Sequence, residues 1–216
     1  MEVVRFKVIF LGDRNVGKTS LALLHRSGTV SDSPSATIGF ETYKKRVSLK
    51  TGTHALVDLW DTAGMERFRE SILPKFYDTN GVILVYDITN EESFIHLGSW
   101  MQEIANNCKT QFVKGALIGN KADTGHERKV TTERGLEFAR EHKMLFEELS
   151  AKNPGDAKRL NLLVQSLAEE LHEAWKGDQS IRCTSEEHFS ATSIIEPKLE
   201  SGTTSSRRAW RKRCNC

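Results

Sequence analysis

Gly12-Asp13-Arg14-Asn15-Val16-Gly17-Lys18-Thr19 fits the pattern glycine, four residues, Gly-Lys-Ser/Thr without a mismatch. The chemistry of that pattern is phosphate binding. Glycines let backbone N–H groups turn inward around phosphate oxygens, and the helix that follows presents its positive N-terminal end. Asp13, Arg14, Asn15, Val16 and Gly17 form the expected cradle, with Ser20 just inside the helix. Lys18 is expected to set an ammonium on the terminal phosphates, and the Thr19 hydroxyl to ligate a bridging Mg²⁺. The flanks suit this reading: Phe6-Lys7-Val8-Ile9-Phe10-Leu11 is a β-rich apolar run, and Ser20-Leu21-Ala22-Leu23-Leu24 continues as helix.

The 216 residues suffice for a sizeable core and suit one domain with an appendage better than two domains. Charged residues at 28% and hydrophobic residues at 38% are ordinary for a soluble chain. The net charge of +2 is too small to imply general nucleic-acid binding. Four cysteines without paired spacing in the body point to a reduced intracellular protein, with Cys108 and Cys183 as bystanders. The best apolar run, Gly81 to Tyr86, has the length of a buried strand and not the roughly 18 residues of a membrane span. Glu2 and Arg5 interrupt the N-terminus where a signal peptide would be apolar, and the seven histidines lack metal-ligand spacing.

Strand-like runs fall near 3–11, 41–49, 54–60, 81–87, 112–118 and 144–148, and helix-like stretches near 17–26, 92–107, 132–142 and 157–175. Their alternation, with the Gly12–Thr19 motif after the first strand, predicts an α/β fold of the phosphate-loop nucleoside-triphosphatase type. The expected architecture is a six-stranded, mostly parallel sheet with helices on both faces. Lys50-Thr51-Gly52-Thr53 reads as a hairpin turn, which makes one edge strand antiparallel. Ligands in such folds sit beyond the C-terminal ends of the strands.

The remaining motifs cluster there. Trp60-Asp61-Thr62-Ala63-Gly64 follows the third run: Asp61 is placed to hold Mg²⁺ through water, and the Gly64 N–H to approach a γ-phosphate. Asn120-Lys121-Ala122-Asp123 follows the fifth, and the Asp123 carboxylate can accept from both the N1–H and the exocyclic amine of guanine. Adenine offers no such donor pair, which argues against a kinase or ATPase. Ser150-Ala151-Lys152 follows the sixth, with backbone N–H groups placed for the guanine carbonyl oxygen.

With these four motifs in this order, residues 4–175 resemble a Ras-superfamily small GTPase, and specifically the Rab family. Thr37-Ile38-Gly39, Trp60 before Asp61, Glu66-Arg67-Phe68-Arg69 and Tyr86-Asp87-Ile88-Thr89 carry the Rab likeness. The resemblance implies a monomeric switch in vesicle traffic that binds GTP or GDP with Mg²⁺. It implies that Thr37 grips Mg²⁺ and the γ-phosphate in switch I, and that residues 62–78 form switch II. Loss of the γ-phosphate would release both loops from effectors. An exchange factor, a GTPase-activating protein and a GDP-dissociation inhibitor are the implied regulators.

Three positions depart from the family pattern. Met65 stands where a glutamine orients the attacking water, and a thioether is a weak acceptor and no donor. Losing such a group costs on the order of 10²- to 10³-fold if it resembles an oxyanion donor, unless a partner supplies the function. Arg14 stands where relatives carry a small side chain, and either crowds an incoming arginine or points to solvent. Val30 replaces an aromatic edge against guanine, a contact worth roughly 1–3 kcal/mol if it compares with base stacking. Pro34 and Thr42 likewise replace a tyrosine and a phenylalanine, so switch I is the least typical region. Slow cleavage and loose retention together predict a GTP-loaded protein; the alternative is a scaffold with vestigial GTPase activity.

Residues 1–176 are therefore expected to form the GTPase domain and 177–216 a flexible tail, rich in Ser, Thr, Gly and charge. About 40 such residues span on the order of 35 Å. The chain ends Arg207-Arg208-Ala209-Trp210-Arg211-Lys212-Arg213-Cys214-Asn215-Cys216. The terminal Cys-x-Cys resembles the Rab double-prenylation signal. Cys214 and Cys216 are expected to carry two lipids, with the cations adding about 1 kcal/mol each near anionic lipid. The expected location is the cytoplasmic face of an intracellular membrane, with a cytosolic pool.

Overall fold

The computed structural model describes residues 4–29, 40–62, 78–108 and 113–177. Apolar β-rich runs define β1 (Val4–Leu11), β3 (His54–Thr62) and β4 (Gly81–Asp87), and β2 (Phe40–Ser48), β5 (Lys114–Asn120) and β6 (Leu145–Glu148) complete one sheet. The order is β2-β3-β1-β4-β5-β6, with β2 antiparallel to β3 and every other pair parallel. The turn between β2 and β3 closes as expected, with the Leu49 N–H donating to Thr53 O at 2.9 Å.

Alternation along β1 and β4 sends side chains to two cores. Val4, Phe6, Val8, Phe10, Ile83 and Val85 pack under α1 (Lys18–Ser27) and α5 (Ala157–Gly177). Ile9, Leu11, Val82, Leu84 and Tyr86 pack on the opposite face under α2 (Glu91–Ile95), α3 (Leu97–Asn107) and α4 (Thr132–Glu141). Both faces of the central strands are thus removed from water, which is why they read as continuous apolar runs.

The structure moves three boundaries. The helix expected over 92–107 is two segments, because His96 (φ −69°, ψ −10°) tightens the turn between α2 and α3. β3 runs on to Thr62, carried by pairing of Thr62 with Phe40 and of Asp61 with Glu41. β5 begins at Lys114 and continues to Asn120, because the ladder to β4 does not need the apolar side chains that end before Gly119. No helix among the described residues is long and apolar enough to cross a membrane. The tail after Gly177, with Cys214 and Cys216, lies outside the described residues, as do Val30, Pro34, Thr37, Gly64 and Met65.

Candidate functional site

β1 delivers the phosphate-loop motif to the C-terminal edge of the sheet between its parallel neighbours β3 and β4. Gly12 turns the chain at φ +141°, where an added Cβ would sit 2.2 Å from the Val85 carbonyl oxygen. Gly17 at φ +95° caps α1, and a Cβ there would sit 2.2 Å from Asn120 Nδ2. Between them Val16 is buried, while Arg14 and Asn15 are exposed and Asn15 is left-handed (φ +64°). Of the two orientations open to Arg14, the structure has the solvent-exposed one.

Lys18 is only 4% exposed. Its Nζ donates to Gly12 O at 2.8 Å and to Asp13 O at 2.6 Å, so the ammonium is folded into the loop. Burial pushes it down to about 8, with Asp61 and Asp13 opposing through their charge. Asp61 is fully buried at the end of β3. Thr19 and Ser20 follow in the first turn of α1. Hard oxygen donors at Thr19 and Asp61, beside a loop whose glycines leave no room for a Cβ, suit a Mg²⁺–phosphate pair.

The second half of the site is built around Asn120, which is 2% exposed. Its Nδ2 donates to Val16 O at 2.7 Å, and its Oδ1 accepts from the Ala151 N–H at 3.0 Å. One amide therefore joins three segments that the sequence separates by 104 and 31 residues. Ser150 Oγ donates to Asp123 Oδ1 at 2.6 Å, and the Lys152 N–H donates back to Ser150 Oγ at 3.1 Å. Asp156 supports the loop from below by accepting from the Ser150 N–H at 2.8 Å.

Lys121 is left-handed (φ +68°), a conformation that costs a non-glycine residue free energy. Asp87 at the end of β4 compensates. Its Oδ2 lies 2.5 Å from Lys121 Nζ, while Oδ1 accepts from the Thr89 N–H at 2.9 Å and the Thr89 hydroxyl at 2.7 Å. Asp13 is held from the other side by Trp100 Nε1 at 3.0 Å and His96 Nδ1 at 2.6 Å.

The structure thus brings together Asp13, Val16, Gly17, Lys18, Asn120, Lys121, Asp123, Ser150, Ala151 and Lys152, with Thr19, Ser20 and Asp61 at the elements expected. Thr42 is exposed on β2. Reading from residues alone missed Asp87, His96, Trp100 and Asp156. Asp87 lay in view within Tyr86-Asp87-Ile88-Thr89, but only as a family mark; a carboxylate closing an otherwise apolar strand was the physical signal.

The description that matches residues 7–172 is the Ras family. The Ras-related protein Rab-33A of Mus musculus is 39% identical over 164 residues, covering 76% of this chain and 69% of that protein. The Ras-related protein Rab-18-B of Danio rerio is 41% identical over 147 residues, covering 68% and 70% respectively. The chain is a Rab-type small GTPase of the Ras family. A Rab-type GTPase is a hydrolase that converts GTP to GDP and acts as a switch in membrane traffic. The family binds GTP and GDP with Mg²⁺, works through effectors and regulators, and is associated with intracellular membranes.

Proposed function

We propose that the site binds guanine nucleotide through the contacts expected of a Rab-type protein, and that its timing is altered, with slow GTP cleavage and loosened nucleotide retention. The observation that carries the first half is the Asn120 amide, which locks the phosphate loop to the Ser150–Lys152 loop through two buried hydrogen bonds. The phosphates are assigned to the N–H groups of residues 13–17, with Ser20 behind them and Lys18 turning from the loop carbonyls to the anion. Thr19, Asp61 and Thr37 are assigned to Mg²⁺, which when bound neutralises charge on the β- and γ-phosphates. Lys121 and Asp123 take the base, and the backbone of Ser150, Ala151 and Lys152 its carbonyl oxygen.

The second half rests on Met65 beside Gly64, where no amide is available to orient water, and on Val30 in place of an aromatic. Together they raise the GTP-bound share in a GTP-rich cytosol. Effectors are assigned to the switch I and II surface, and the protein is read as a monomer attached by prenyl groups on Cys214 and Cys216. The cytoplasmic face of an intracellular membrane, a GDP-dissociation inhibitor for the cytosolic pool and the prenylation machinery follow from those lipids.

Nucleotide extracted from purified protein, with single-turnover hydrolysis of the parent beside Met65→Gln, tests the timing. The expected result is mostly GTP in the parent and a 10²- to 10³-fold faster variant, the scale of an orienting donor. A GDP-filled parent with no gain in the variant refutes it; turnover too slow to measure even with activating proteins favours the scaffold reading. Asp123→Asn should move preference from GTP to xanthosine triphosphate, and unmodified Cys214 and Cys216 by mass spectrometry of protein from eukaryotic cells would remove the lipid anchor.

A further inference from the structure

Asp13 faces two ways. Its carbonyl oxygen accepts from Lys18 Nζ at 2.6 Å, inside the loop, while its carboxylate turns outward to the junction of α2 and α3. There Oδ1 accepts from the Trp100 indole and Oδ2 lies 2.6 Å from His96 Nδ1. Of these two groups only the imidazole can carry charge. A bare carboxylate beside a phosphate site opposes anion binding, and a cation on it offsets that repulsion.

The junction is built to deliver both groups together. The His96 N–H donates to Glu92 O and the Trp100 N–H donates to His96 O at 3.1 Å, so the two side chains are one helical turn apart on one face. From the loop, Asp13 is the charged group in contact with the ring, with Lys18 behind its carbonyl. On the ring's own segment, Glu92 contributes its carbonyl and Glu91 is paired with Arg134 of α4 at 2.8 Å. The His96 side chain is 47% exposed, so its proton exchanges freely with solvent.

We propose that His96 is a positioning residue for the phosphate loop, its protonated ring clamping Asp13 and so holding the loop in the shape that grips nucleotide. The sign follows from the charge-assisted bond. The clamp is engaged while the ring is protonated and relaxes as pH rises through the range where an imidazole discharges, between about 5 and 8. Nucleotide release is therefore slow on the acid side and faster on the alkaline side. A half-exposed ion pair limits the effect to about two- to five-fold.

The inference rests on the nucleotide assignment above, and the experiment separates the two. Full-length protein loaded with fluorescently labelled GDP and Mg²⁺ is chased with excess GDP from pH 5.5 to 8.5, for the parent, His96→Gln and His96→Lys. Release from the parent should accelerate about two- to five-fold across the range. His96→Gln should release at the parent's alkaline rate throughout, and His96→Lys, a permanent cation, at the acid rate throughout. A His96→Gln profile that superimposes on the parent's overturns the clamp and leaves the nucleotide assignment standing. A parent that takes up no labelled GDP overturns both.

Discussion

Replacing Asn120 by alanine separates two roles that a base-contact motif confounds. In the structure its amide bonds Val16 O and the Ala151 N–H at 2.7 and 3.0 Å in a buried setting, so truncation orphans one acceptor and one donor. Each orphan costs about 1–3 kcal/mol, and some entry of water into the gap brings the sum to about 2–4 kcal/mol. That is a large part of a domain's total stability of about 5–15 kcal/mol. The assay is urea unfolding of the full chain, stripped of nucleotide with a chelator, for parent and variant. With a slope near 3 kcal/mol/M the midpoint should fall by about 0.7–1.3 M. The absence of nucleotide is the point of the design. A residue whose work is contact with the base leaves the stripped protein unchanged, and a midpoint within about 0.2 M of the parent's would refute the staple.

Burial, aided by the nearby Lys45 ammonium, pushes His25 down to about 4. The unfolded chain takes up this proton below about 6.5 while the folded chain does not, so stability is complete above that value and is lost as pH falls toward 4. The loss should reach about 2 kcal/mol at pH 5, and His25→Leu should flatten it in urea titrations at pH 5 and 7. Gly12→Ala should cripple folding or nucleotide uptake, since its Cβ meets a backbone oxygen at 2.2 Å, whereas Gly125→Ala, with nothing within 4 Å, should leave thermal unfolding within a degree or so of the parent. Asp87→Asn keeps an oxygen for Thr89 but removes the charge opposite Lys121; labelled GDP should leave about ten-fold faster, equivalent to about 1.4 kcal/mol.

Much of this arrangement was legible because its chemistry is local. Gly12 and Gly17 sit where backbone sterics demand them, and the alternation of Val8, Ile9, Phe10 and Leu11 announces a strand covered on two faces. What escaped was whatever depends on a distant partner. Nothing in Ser93-Phe94-Ile95-His96-Leu97 breaks a helical pattern; the tightened turn at His96 accompanies a contact with Asp13, 83 residues earlier. Asn120 was legible as a motif residue, but its grip on Val16 and Ala151 required knowing which loops become neighbours. Trp100 likewise has the spacing of an ordinary core residue, and its indole nitrogen finds Asp13 only in three dimensions.

The Asn120 amide also dates the site in the life of the chain. During synthesis the phosphate loop is made 104 residues before the side chain that pins it. At about 5–20 residues per second the interval is about 5–20 seconds, and the Ser150–Lys152 loop arrives later still. The core helix α5, whose Leu160, Val164, Leu167 and Leu171 close the face under β1, is the last described element to be made. A nascent chain therefore carries a complete phosphate motif that has neither walls nor a base pocket. On the proposed assignment, nucleotide capture requires the final third of the GTPase domain to have been made, while the tail after Gly177 is not needed for it.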